Sequence, residues 1–200
     1  MAQADADVID ALVGITPGTP LDAIRARRPE ARAHAQVTYR ALFAPDEPGH
    51  VTGPERFAVA AFVAGLHGAP EIAVHYGARL TERGASSALQ DAVDAAIAEA
   101  RTRGPYGRYP AGPLSREDTG GLSYRVGAPT RRALGPRLAA AFEHVHVLVF
   151  HPRDATPAAL QTLLDAGWST TDVVTLAQIV AFLSFQIRVV TGLRALAGHP

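Results

Sequence analysis

Apolar positions recur at three- and four-residue spacing along most of this chain, the period of a helix face. No segment alternates strongly enough to demand a sheet, and VHVLVF at 145–150 is the one run that reads either way. Helix punctuation divides the pattern. Thr19-Pro20 sets a capping hydroxyl before a proline at the first helical position and opens a helix toward Arg27. Pro29 opens the next, to about Phe43, and 44–53 forms a loop. Thr52 and Glu55 have capping-box spacing for a helix carrying Val59, Phe62, Val63 and Leu66. Gly68-Ala-Pro70 ends that helix and starts another with Ile72, Val74 and Leu80, which stops near Gly84. Ser86 or Ser87 caps a helix through Leu89, Val93 and Ile97 that ends at Gly104. Helices resume from Pro136 to about Phe150, from Pro157 to Ala166, and as a pair from Thr170 onward.

The expected fold is therefore all-α and a single domain. Placing Glu55 opposite Asp172 also aligns Val59 with Leu176, Val63 with Val180 and Leu66 with Leu183. This predicts two related helical repeats, at about 20–103 and 128–198, with a second hairpin around Phe182–Phe185. Residues 104–127 hold a dense Pro/Gly run, and a connection of that length reads as a lid or a linker between repeats.

Composition narrows the function. Nineteen basic residues balance nineteen acidic ones, so no basic field exists for a phosphate backbone and no nucleic-acid partner is expected. The apolar stretches Phe57–Leu66 and Ile179–Phe185 are too short to span a bilayer, so no membrane association is expected. The start MAQADADVID lacks the basic and apolar regions of a signal peptide, and the expected location is cytoplasmic. The chain has no cysteine, which rules out disulfides, thiolate metal sites and any thiol-based redox cycle. The segment AQIVAFLSFQIRVVTGL (177–193) has more apolar residues than one helix face needs, which predicts a homo-oligomer, a dimer or a multiple of it.

The stretch GPERFAVAAFVAGLHGAPEIAVHYGARL (53–80) resembles the core of the carboxymuconolactone decarboxylase/alkylhydroperoxidase superfamily. STTDVVTLAQIVAFLSFQIRVVTGL (169–193) resembles the second half of its two-repeat, peroxidase-related branch, matched at Phe182, Phe185, Arg188 and Gly192-Leu193. The resemblance implies an AhpD-like helical fold. In the peroxidase branch an Arg-Glu pair precedes Cys-x-x-Cys-x-x-x-His, in which a helix start lowers a thiol pKa and Glu and His relay protons. With Arg56 and the Leu66-x-Gly68 turn setting the register, the relay Glu falls on Phe57, the thiols on Ala69 and Ile72, and the His on Tyr76. Every redox position is replaced. The resemblance then implies a non-redox or non-catalytic member that pairs with itself or with a cysteine-bearing paralogue, with no cofactor. Its decarboxylase branch carries a Glu followed at i+4 by His. Glu71 and His75 match that spacing on one helix face and make a cofactor-free decarboxylase or isomerase of small carboxylates or lactones the alternative.

Each candidate has an ordinary structural role beside the catalytic one. Glu71 in a first helical turn is favoured by the dipole, and His67 before Gly68 can cap free carbonyls. Tyr76 is expected to pack with its hydroxyl satisfied. With His67, the residues Phe57, Ala69, Ile72 and Tyr76 would line the former redox pocket. His144 and His146 should point to different faces of a helix while His144 and His151 share one, and without carboxylates at ligand spacing no metal site is expected. Arg101, Arg103, Arg108 and Arg116 flank the Pro/Gly run as solvated charges or as an anion-binding lid. Arg188, in an apolar helix, is expected to form a structural ion pair with a carboxylate, within the chain or at a subunit contact.

Overall fold

A computed structural model describes residues 6–198. Among them lie nine α-helices: α1 (Val8–Val13), α2 (Pro20–Ala26), α3 (Pro29–Phe43), α4 (Gly53–Leu66), α5 (Pro70–Glu82), α6 (Ser87–Ala100), α7 (Ala128–Phe150), α8 (Pro157–Asp165) and α9 (Thr170–Gly198). The fold is all-α, and the described residues contain no strand beyond one isolated bridge between Gly107 and Thr119. The ambiguous run at 145–150 is helical. Local chemistry sets the starts. The Thr52 hydroxyl accepts from the Glu55 amide at 3.3 Å while the Glu55 carboxylate accepts from the Thr52 amide at 2.8 Å, so two free amides are satisfied reciprocally. Thr19, Ser86 and Thr156 cap α2, α6 and α8 with single side-chain bonds. Gly68 takes φ +67 just past α4, a conformation open to glycine without strain, and Pro70 starts α5.

Helix α4 is the axis of the bundle, buried without interruption from Arg56 to Leu66, with α5, α6, α7 and α9 packed around it. Small side chains at Ala58, Ala60, Ala61, Ala64 and Gly65 allow that close approach on several sides. Phe62 stacks on Phe142 of α7 at 4.1 Å between ring centroids. A Cβ on Gly65 would meet the Ile97 side chain of α6 at 2.6 Å. Gly65→Ala is therefore expected to lose about 1–2 kcal/mol net, because crowding a stiff β-branched side chain outweighs the gain of about 1 kcal/mol in helix propensity. Thermal unfolding measures this, and a more stable variant would mean that α4 and α6 are less tightly apposed.

Two expectations about elements require correction. The chain does not form a helix pair from Thr170, nor a hairpin at Phe182–Phe185. Instead α9 runs unbroken for 29 residues. No Gly or Pro lies between Thr170 and Gly192, so nothing there matches the Gly-Ala-Pro break between α4 and α5. Helix α7 also begins at Ala128, ahead of Pro136. Gly135, at φ 76 and ψ 163, kinks the chain so that Pro136 restarts the helix. The early turn is held from afar, as Glu99 of α6 accepts from the Gly127 amide at 3.0 Å and the Thr130 hydroxyl at 2.6 Å.

The length of α9 changes one further reading. Within it the short run Ile179–Phe185 belongs to a helix long and apolar enough to cross a membrane by length and composition. In the bundle that helix packs against α1, α2, α3, α4, α7 and α8 and buries Asp172 and Gln186.

The first turn of α9 has a reciprocal cap like that of α4. The Asp172 amide donates to the Ser169 hydroxyl at 3.2 Å, and the Asp172 carboxylate accepts from the Ser169 amide at 2.9 Å. Arg137 of α7 joins the two caps, meeting Glu55 at 2.7 Å and Asp172 at 3.4 Å. Its guanidinium lies 4.0 Å from the centre of the Trp168 ring, and it also donates to the Gly167 carbonyl. Residues 104–127 form a strap laid across α7. Tyr106 donates its amide to the Phe150 carbonyl at 2.6 Å, and Val126 donates its amide to Glu143 at 2.9 Å.

Candidate functional site

The residues singled out by the resemblance fall into two environments. Phe57, Ile72 and Tyr76 are core, at 2, 2 and 0% exposure. Phe43 sits between Phe57 and Tyr76, 5.2 and 5.3 Å from them between ring centroids, so aromatic carbon occupies the space. The Tyr76 hydroxyl donates to Gln186 of α9 at 2.6 Å, and burial pushes its pKa well above that of a free phenol. A phenol so placed holds its proton and ties α5 to α9. Buried Arg56 donates to three backbone carbonyls, those of Leu42, Pro48 and Val51, and so clamps the loop before α4.

The other environment is a cavity of about 360 Å³ at the start of α5. His67, Ala69, Glu71 and Ile72 line it, facing Thr191 and Arg194 of α9. Glu71 is exposed and pairs with Arg194, which also donates to the Leu12 carbonyl at 2.7 Å. The first-turn carboxylate thus faces a cation from the C-terminal helix as well as the dipole of its own helix. His67 does not turn back to cap α4. Its backbone is the cap position, and its Nε2 reaches Ser184 of α9 at 3.1 Å. Burial, with the nearby Arg188 cation, lowers the pKa of His67. His75 lies outside this cavity. Its ring lies edge-on to Tyr76 at 5.1 Å, and its Nε2 is buried without a partner among the described residues. Burial and Arg79 lower its pKa, against a smaller opposing pull from Glu82. Glu71 and His75 therefore share a helix, but His75 does not reach the cavity that Glu71 lines. Arg188 meets no carboxylate among the described residues of its own chain; it is exposed and donates to the Ser184 carbonyl of its own helix at 2.6 Å. Its place on the outer face of α9 keeps it in water.

A third place draws in residues that spacing had separated. A cavity of about 340 Å³ lies between α7, α8 and the end of the strap, lined in part by Tyr124, Arg125, Glu143, His144, His146 and His151. His144 and His146 both line it, as does His151. Glu143 is 7% exposed and accepts from Arg125 at 2.8 Å, from Arg131, and from the Val126 amide. His151 sits between the Asp154 carboxylate and the Leu122 carbonyl, each 2.9 Å from a ring nitrogen. His146 is 1% exposed, against Tyr124 at 5.4 Å and Phe150 at 4.9 Å. Burial lowers its pKa to about 4, although the Ala100 carbonyl, near the ring but outside hydrogen-bond geometry, pulls the other way. Burial also lowers the pKa of His144. Both rings are neutral at pH 7, able to donate from one nitrogen and accept at the other.

No group of three or more histidine or carboxylate side chains among the described residues is arranged to hold a metal ion. Of the arginines flanking the Pro/Gly run, Arg101 lines a groove between α5 and α6, whereas the arginine on the histidine cavity is Arg125. Sequence spacing gave no hint of this cavity, whose walls come from residues 123–125, 140–151 and 154–162. Comparison of the chain with protein-family models, with curated proteins and with solved structures finds no match.

Proposed function

We propose that this chain is a cytoplasmic, non-redox member of the carboxymuconolactone decarboxylase/alkylhydroperoxidase superfamily that acts by assembly rather than by peroxide chemistry. The observation that carries this reading is the state of the replaced positions. Where the resemblance puts a proton relay, Phe57 and Tyr76 are sealed in core; at the two thiol positions Ala69 and Ile72 border a cavity, and the chain holds no thiol. The proposed two-repeat, AhpD-like origin is supported by the matching caps Thr52/Glu55 and Ser169/Asp172, which meet on Arg137. The lack of a second hairpin confines that similarity to the capped helix of each half. The rival reading, a cofactor-free decarboxylase or isomerase using Glu71 and His75, has less support, because His75 lies outside the cavity that Glu71 lines.

Assembly is read from apolar surface that the bundle leaves uncovered. Val37 of α3 is 60% exposed and Phe185 of α9 is 45% exposed. With Ala181 and Phe182 they line a shallow groove of about 690 Å³ between the two helices. A second copy of this chain, or a cysteine-bearing paralogue, is the proposed occupant. Phe185→Glu places a charge in the groove without entering the core. It is expected to shift the particle to monomer mass in light scattering while the helical circular dichroism stays unchanged. An assembled particle of unaltered mass would remove this groove from the interface.

A further inference from the structure

We propose that the cavity under the 104–127 strap binds a small organic monocarboxylate, with His144 and Arg125 as its two donors. This assignment stands apart from the family reading and uses none of its residues. The cavity measures about 340 Å³, room for a molecule of one or two rings. His144 is 6% exposed and makes no hydrogen bond among the described residues, and its Nδ1 is sealed in the interior. Nε2 is thus the ring nitrogen that a ligand can reach. A neutral imidazole carries one proton, and a buried N–H without a partner is rarer and costlier than a buried lone pair without one. The proton accordingly resides on Nε2 and is offered to the cavity.

The carboxylates around that donor already have partners. Glu143 is matched twice, by Arg125 and Arg131. Asp154 on the other wall is engaged by His151 and by the Arg108 amide at 3.2 Å. Arg125 is anchored by one guanidinium nitrogen to Glu143, and its side chain is otherwise 75% exposed. Its remaining N–H groups are free to grip a second carboxylate at the mouth, the geometry guanidinium favours. Ser123 and Thr156 add hydroxyls to the lining, and buried Tyr124 adds a flat apolar wall. A ring bearing one carboxylate satisfies both halves of this surface.

Benzoate is the probe, and benzamide is its uncharged counterpart of equal shape. The full chain carries ¹⁵N-labelled histidine, and each compound is titrated while the ring nitrogens are followed by NMR. The expected result is a saturable shift at His144 Nε2 with benzoate bound at least about tenfold tighter than benzamide. Arg125→Gln, at an exposed side chain, should weaken benzoate by a similar factor with the fold intact. His144→Gln should remove the binding. The absence of a saturable shift, equal affinity for benzamide, or benzoate affinity unchanged in Arg125→Gln would each overturn the assignment.

Discussion

Replacing Arg137 with alanine is expected to lower the stability of the folded chain by about 3 kcal/mol, because breaking a mostly buried charge network leaves its partners unpaired. The guanidinium serves Glu55, Asp172 and the Gly167 carbonyl and stacks on Trp168, so its loss strands two carboxylates at the starts of α4 and α9. Lysine at the same position keeps the charge but neither the fork nor the planar stack, and should recover only part of the loss. Urea unfolding at pH 7 gives the number, and a loss below about 1 kcal/mol would mean that Arg137 behaves as a screened surface ion. The effect has an acid signature. Burial raises the pKa of Asp172, but bonds from Ser169 and Arg137 outweigh it and hold the carboxyl below its ordinary range. A depressed carboxyl pKa contributes stability above the unfolded value of about 3.9 and loses it as pH falls through the folded one. Arg137→Ala should flatten that part of the acid limb.

The second large effect lies at higher pH and has a different source. His146 titrates near 4 in the folded chain, below the value of about 6.5 expected when unfolded. Between those values the unfolded chain takes a proton that the folded state refuses. Stability is therefore complete above about pH 6.5 and falls as pH drops toward 4, by up to about 3 kcal/mol from this one ring. His67, His75 and His144, also lowered by burial, act with the same sign. The charged and titratable groups around the cavity are Tyr124 and Arg125 on the strap, Glu143 and His144 on α7, and His151 and Asp154 beyond it. His146→Leu should leave stability at pH 7 within about 1 kcal/mol and flatten the decline between pH 6.5 and 4. An unchanged slope would assign the decline to the other histidines.

Several helix starts were legible because their capping chemistry is local, although α1, capped by Asp7 through the Asp10 amide, was not foreseen. Thr19-Pro20, Thr52/Glu55 and Ser86 act within three residues of themselves, so their spacing was enough, and Pro157 marked the start of α8. The first turns of α7 were not legible, because their cap comes from Glu99 on another helix. The hairpin expected at Phe182–Phe185 came from aligning apolar residues, and apolar period alone does not break a helix that lacks Gly and Pro. The satisfied hydroxyl of Tyr76 was foreseen, but not its partner Gln186, a residue 110 positions away. The histidine cavity was hidden for the same reason. It depends on the strap folding back over α7, a long-range contact that helical spacing does not encode.

If the chain acts by assembly rather than by peroxide chemistry, light scattering of the unmodified protein at low micromolar concentration should give a particle of twice the chain mass or a multiple of it. That particle is held without a disulfide and should therefore be unchanged by reductant. A stable monomer under those conditions would overturn the assembly reading.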